Sequence, residues 1–207
     1  TRITRTRTRT IALLAAVASF ACLAALAPMA QDAARARIEQ YAKAPKEHPK
    51  LAFITNGVAS FWTIAATGAK QAQKDLGCQV EVLMPTDGVS GQKRMLEDSV
   101  TRGVDGIAVS PIDADNQTDV LDRIAKRTLL ITHDSDAPKS TRLAYIGVDN
   151  YEAGRLCGTL VKEALPQGGK VFILVGRLEQ DNAKLRRQGL MDELIHKPHG
   201  IILVTGP

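Results

Sequence analysis

The run Ser99-Val-Thr-Arg-Gly-Val-Asp-Gly-Ile-Ala-Val-Ser-Pro-Ile-Asp-Ala-Asp115 constrains the chain more than any other stretch. It reads as a helix end, a glycine stop at Gly103, a short buried strand from Gly106 to Ser110, and a polar loop that opens another helix. The same step recurs on either side. Strands are expected at Leu51 to Thr55, Gln79 to Leu83 and Leu129 to Thr132, and helices at Phe61 to Leu76, Gln92 to Arg102 and Asn116 to Arg127. Such alternation predicts an α/β fold with a parallel, doubly wound sheet covered by helices on both faces. Ligands of these sheets bind beyond the carboxyl ends of the strands. The residues to weigh are therefore Thr55 and Asn56, Thr86 and Asp87, Ser110 to Asp113, and His133 to Asp136.

The formal charge of +5 suggests an anionic partner until its origin is traced. Four of the 27 basic residues are Arg2, Arg5, Arg7 and Arg9, and residues 1–30 hold no acid, so the body carries 23 basic against 22 acidic side chains. A nearly neutral body gives no electrostatic case for nucleic acid or anionic lipid. The basic start, the apolar run Ile11 to Ala27 and the small residues after it are the parts of an export signal, with an uncleaved membrane anchor as the alternative. Residues 31–49, rich in Ala and charge and closed by Pro45 and Pro49, read as a linker. Cys78 and Cys157 fall in different lobes and are expected to be buried, unpaired small apolar residues.

Two loops offer ligand chemistry. Phe61 and Trp62 stand side by side where a helix begins, and neighbours on a helix point about 100° apart, so the two cannot enter the core equally. One is expected to line a cleft, the other to pack on the sheet. Sugars present C–H faces to aromatic rings and hydroxyls to planar polar groups, so an aromatic pair beside Asn56 suits a polyol. Asp134 follows a strand directly, and a carboxylate can hold two neighbouring hydroxyls. Asp136, ahead of Ala-Pro, is expected to shape the turn.

Other chemistries fail on spacing. His48, His133, His196 and His199 lack metal-ligand spacing. Asp113 to Asp119 resembles the start of a calcium loop, but the sixth position is Thr118 and the twelfth Ile124. Asp115 or Asn116 as a helix N-cap explains that run. No phosphate loop, Gly-x-Gly-x-x-Gly or Gly-x-Ser-x-Gly occurs, so neither a cofactor nor a catalytic residue is implied.

Asn-Gly-x-x-x-Phe-Trp, the Ser99–Asp115 run, Ile-Thr-His-Asp-Ser-Asp-Ala-Pro and Tyr-Ile-Gly-Val-Asp-Asn-Tyr-Glu-Ala-Gly-Arg together resemble the periplasmic sugar-binding proteins of the ribose-binding type, the soluble receptors of ABC importers. The resemblance covers about Lys50 to Pro207. It implies two α/β lobes, 50–148 and 149–207, joined by a hinge at Asp149 and Asn150 and closing on a sugar. It places Phe61 and Trp62 at the sugar-sandwiching aromatics, Thr55 or Asn56 at the first-loop polar contacts, and Ser110 where many members have Asn. Asp134 takes the position of the carboxylate that accepts from hydroxyls, and Ser135 stands where Arg is common, which argues against ribose itself.

In the second lobe a helix at Tyr151 to Leu165, a strand at Lys170 to Val175 and a helix at Asp181 to Ile195 are expected, and Arg186 corresponds to the family's second-lobe arginine. The chain stops in what reads as the second strand of that lobe, which implies an incomplete lobe. The implied protein is a non-enzymatic, exported or periplasmic monomer that serves a membrane permease without nucleic acid or metal. A sugar-sensing transcriptional regulator of the same fold is the alternative; its helix-turn-helix would precede the first strand, where this chain has a leader and linker.

Overall fold

The computed structural model describes residues 46–195, the backbone of 201–204, and residues 36, 38 and 39. The expected leader, most of the linker, and His196 and His199 lie outside the described residues. Residues 1–46 form a unit separate from 47–207, and the following concerns the latter.

Five strands form one parallel sheet: β1 (Lys50–Ile54), β2 (Gln79–Leu83), β3 (Gly106–Val109), β4 (Leu129–His133) and β5 (Ala144–Ile146), in the order β2-β1-β3-β4-β5. β1 lies between β2 and β3, with Leu51 beside both Val80 and Gly106 and Ile54 beside both Leu83 and Val109. Three helices alternate with the first four strands: α1 (Ser60–Leu76), α2 (Gly88–Thr101) and α3 (Ala114–Ala125). The reversal of strand order between β2 and β3 opens a crevice at the carboxyl end of β1, where ligands of such sheets bind.

Side chains alternate across the strands. Ala52, Ile54, Ile107, Val109 and Leu130 join Leu96 and Val100 of α2 and Val120, Leu121 and Ile124 of α3 in the main core. Leu96 and Leu121 are fully buried, which stabilises the fold by roughly 2–3 kcal/mol per side chain before entropy is counted. The opposite face carries α1, where Trp62 is the buried residue, and an open apolar groove of about 620 Å³ whose lining includes Leu51, Phe53, Ala72 and Ile131.

After β5 come α4 (Asn150–Ala164), β6 (Gly169–Phe172), α5 (Asp181–Ile195) and β7 (Ile201–Val204), with β6 and β7 pairing in parallel. Helices α4 and α5 touch backbone to backbone. A Cβ on Gly154 would lie 2.1 Å from the Arg186 carbonyl oxygen, and one on Gly189 would lie 2.0 Å from that of Tyr151. Glu193 closes the contact by pairing with both Arg155 and Lys162 of α4.

Three expectations need correction. The N-cap of α3 is Asp113, whose carboxylate accepts from the Asn116 N–H at 3.1 Å, rather than Asp115 or Asn116. Its backbone is extended while Asp115 already lies in the first turn, which is where the half-in geometry of a cap must fall. Cys157 is exposed rather than buried, although both it and Cys78 are free. β6 ends at Phe172, short of the expected Val175. Among the described residues no helix is long and apolar enough to cross a membrane.

Candidate functional site

The polar loops at the carboxyl ends of β1, β3 and β4 converge on one oxygen, Oδ2 of Asp134. It accepts from Ser110 Oγ at 3.1 Å, from Asn56 Nδ2 at 3.3 Å and, from α5 in the second lobe, from Asn182 Nδ2 at 3.2 Å. Asn56 Nδ2 also reaches Ser110 Oγ at 3.1 Å, and its Oδ1 accepts from the Trp62 indole N–H at 2.9 Å. Trp62, Asn56, Ser110, Asp134 and Asn182 therefore form one hydrogen-bonded chain across the mouth of the sheet. A carboxylate surrounded by neutral amide and hydroxyl donors is chemically matched to vicinal hydroxyls, which would replace those donors one for one.

The aromatic pair divides its work. Trp62 is 4 % exposed and meets Phe53 edge-on at 6.3 Å, while Phe61 is 59 % exposed and crosses the Trp62 ring at 4.8 Å. The His133 imidazole stacks on Phe53 at 4.3 Å and meets Trp62 edge-on at 5.6 Å. Burial pushes its pKa down to about 4, so the ring is neutral at pH 7 and serves as an aromatic floor beneath Trp62.

Beneath the loops lies a buried amide pair. Gln92 of α2 donates to the carbonyls of Thr55 at 2.8 Å and Ser110 at 2.7 Å. Its Oε1 accepts from Gln117 Nε2 at 2.8 Å, and Gln117 in turn accepts from the N–H groups of Ile112 and Asp113. These two side chains satisfy backbone groups that the sheet ladder leaves unpaired where β1 and β3 end. They hold Thr55 and Ser110 in place from below.

Of the residues expected at the site, Asn56, Trp62, Ser110 and Asp134 meet directly. Thr55 is fully buried, and its hydroxyl donates to the Gly57 carbonyl at 2.7 Å, so it shapes the loop from within. Ser135 is also fully buried, and its Oγ makes no hydrogen bond among the described residues. Arg186 donates through Nε to Asn150 Oδ1 at 2.7 Å. Asp149 caps α4, accepting from the Glu152 N–H at 3.0 Å. Asp136 ties the turn together through Thr132 Oγ1 and a two-pronged pair with Arg142, at 2.5 and 2.6 Å. Asn182, Gln92, Gln117 and Tyr145 were not anticipated. Asn182 stands four residues before Arg186, one turn away on the same helix face, and that spacing was the available signal.

A periplasmic binding protein domain matches residues 50–206. This chain belongs to that family. Among curated relatives, the periplasmic binding protein is similar to the D-ribose/D-allose-binding protein of Pseudomonas aeruginosa, 25% identical over 162 residues that cover 72% of this chain and 50% of the relative. Among solved structures it is similar to an ABC transporter solute binding protein from Burkholderia graminis in complex with D-arabinose. That match has 31% identity and a TM-score of 0.75, covering 78% of this chain and 57% of that one. A fructose binding periplasmic domain of a hybrid two component system matches at 26% identity and a TM-score of 0.72, over 76% of this chain and 53% of that one. This periplasmic binding protein thus spans about half the length of these relatives, and its five-stranded parallel sheet with an incomplete second lobe fits the two-lobe α/β fold of the family.

Proposed function

We propose that this chain is part of a substrate-binding receptor that takes a monosaccharide or related polyol between its lobes. The observation that carries the reading is the Asp134 carboxylate, which gathers hydroxyl and amide donors from both lobes at the carboxyl ends of the strands. Asn56, Phe61, Trp62, Ser110, Asp134 and Arg186 make up the proposed binding set, with the buried Thr55 and Ser135 supporting its loops from within and Asp149 and Asn150 as the hinge. Phe61 and Trp62 supply the apolar surface that a sugar ring requires. The protein acts outside the cytoplasmic membrane, without catalysis, and hands its ligand to an ABC permease; the likeness to the arabinose-bound solute binding protein supports this role.

A second reading has the same cleft report sugar to a membrane sensor. The likeness to the fructose-binding domain of a two component system favours it over the transcriptional regulator. Binding distinguishes none of these; co-purification with a permease or with a sensor kinase does.

The test is a titration of Trp62, the single tryptophan, with pentoses, hexoses and sugar alcohols. The indole N–H is bonded to Asn56, so a ligand that recruits Asn56 must alter the emission. A saturable change for one sugar, lost in Asp134→Ala, is expected. Silence across the panel would remove sugars from consideration, and a response that survives Asp134→Ala would move the site elsewhere.

A further inference from the structure

The backbone of Asp134 is held in a conformation that L-residues avoid. Its φ of 61° makes it the one non-glycine residue with positive φ among those described. Such a conformation persists only where the surroundings over-determine it. Here every backbone restraint comes from the segment by which the chain leaves the first lobe. The Asp134 N–H donates to the Ile146 carbonyl at 3.1 Å, and its carbonyl accepts from Tyr145 Oη at 2.9 Å and, at longer range, from Asn150 Nδ2 at 3.4 Å.

Asn150 is 3 % exposed and faces both ways. Its Oδ1 accepts from Arg186 Nε, while its Nδ2 reaches Tyr145 Oη at 3.1 Å and the Val148 carbonyl at 3.3 Å. The phenol has one proton and two carbonyls within reach, Asp134 at 2.9 Å and Val148 at 3.1 Å. The Asn150 amide decides between them, because a donor at Tyr145 Oη occupies a lone pair and turns the phenolic proton. A Cβ at Gly147 would lie 2.2 Å from Tyr145 Oη, so only glycine leaves room for the phenol there.

We infer that Tyr145 and Asn150 are positioning residues which couple Arg186 of the second lobe to the presentation of the Asp134 carboxylate. With Arg186 engaged, the Asn150 amide is fixed and the phenolic proton is directed to the Asp134 carbonyl. When the lobes part, Arg186 and Asn150 move together, the amide is drawn off Tyr145 Oη and the Asp134 carbonyl, the proton can turn to Val148, and the left-handed turn at Asp134 slackens. The carboxylate is then set for ligand only when the second lobe is in place. The inference rests on the sugar-site reading solely for what Asp134 binds.

The experiment has two readouts on the whole chain. The first is the distance distribution between spin labels on Cys157 and on a Lys126→Cys substitution, without ligand and with Cys22 replaced by serine. Asn150→Ala and Tyr145→Phe are expected to broaden it. The second is the affinity for the best sugar found with Trp62. Tyr145→Phe, which keeps the ring, is expected to weaken binding by about five- to thirty-fold, and Tyr145→Phe combined with Arg186→Ala to weaken it far less than the product of the single losses. A side chain that merely supports the fold would lower the melting temperature and leave that coupling at unity. Unchanged distance distributions in both variants overturn the inference, as do multiplicative losses. If no sugar binds but the distributions broaden, the sugar reading fails and the coupling stands.

Discussion

The buried glutamine pair makes a stability prediction that can be worked from its bonds. Replacing Gln92 by leucine keeps the volume and removes every polar atom. The Thr55 and Ser110 carbonyls lose their donor, Gln117 Nε2 loses its acceptor, and the Ile112 N–H keeps its bond to Gln117 at 3.0 Å. Three buried groups are left unsatisfied at about 1–3 kcal/mol each. Added apolar contact returns about 1–2 kcal/mol, so the net loss is about 1–8 kcal/mol against the 5–15 of a typical domain. Gln117→Leu orphans fewer groups, chiefly the Asp113 N–H, because Gln92 Oε1 still lies 3.2 Å from the Ile112 N–H. It should cost about 1–3 kcal/mol. Urea denaturation followed by Trp62 emission measures both, with the slope unchanged and the midpoint lowered more for Gln92→Leu. A loss below about 1 kcal/mol for Gln92→Leu, or the reverse order of the two variants, would refute the bookkeeping and mean that water takes over the carbonyls.

Two further outcomes follow from charged and titratable groups. His133 is neutral when folded, with a pKa of about 4 against 6.5 when exposed. The unfolded chain therefore gains a proton first as the pH falls, and stability is complete above pH 6.5 and declines toward pH 4 by roughly 3 kcal/mol. His133→Phe, which keeps the stacking on Phe53, should flatten that slope; an unchanged profile assigns the loss to other groups. Arg142→Leu leaves the largely buried Asp136 carboxylate with only Thr132 and the Ala137 N–H. A loss of about 2–4 kcal/mol in the same urea assay is expected, and a neutral result would show that Asp136 finds solvent.

The framework of this fold was readable because apolar runs, helix periodicity and glycine stops agree with one another from Lys50 to Ala164. β2 and α5 have the limits expected, and Gly103 ends its helix with φ 72° as a stop should. β5 escaped notice because three residues are too few to show alternation. The cap of α3 was misplaced by two or three positions because Asp113, Asp115 and Asn116 are all competent acceptors, and only backbone geometry separates them. Gln92 and Gln117 were passed over because glutamine on a helix usually faces water. Gln92 nevertheless stands in register with Leu96, Ser99 and Val100, the buried stripe of its helix. Asn182 and Tyr145 depend on contacts 48 and 11 residues away in sequence, which local pattern does not encode.

The glycine contact between α4 and α5 has a mechanical consequence. With main chains touching at Gly154 and Gly189, neither helix can slide or roll without a collision between backbone atoms that have no rotamers to yield. The pair behaves as a single stiff beam whose root is Asn150, the first residue of α4. A few degrees of torsion at Asp149 would be delivered to the α5 residues Asn182 and Arg186 with little lost to internal bending. The smallest side chains in the second lobe thus set how faithfully a twist at Asp149 arrives at the carboxylate of Asp134.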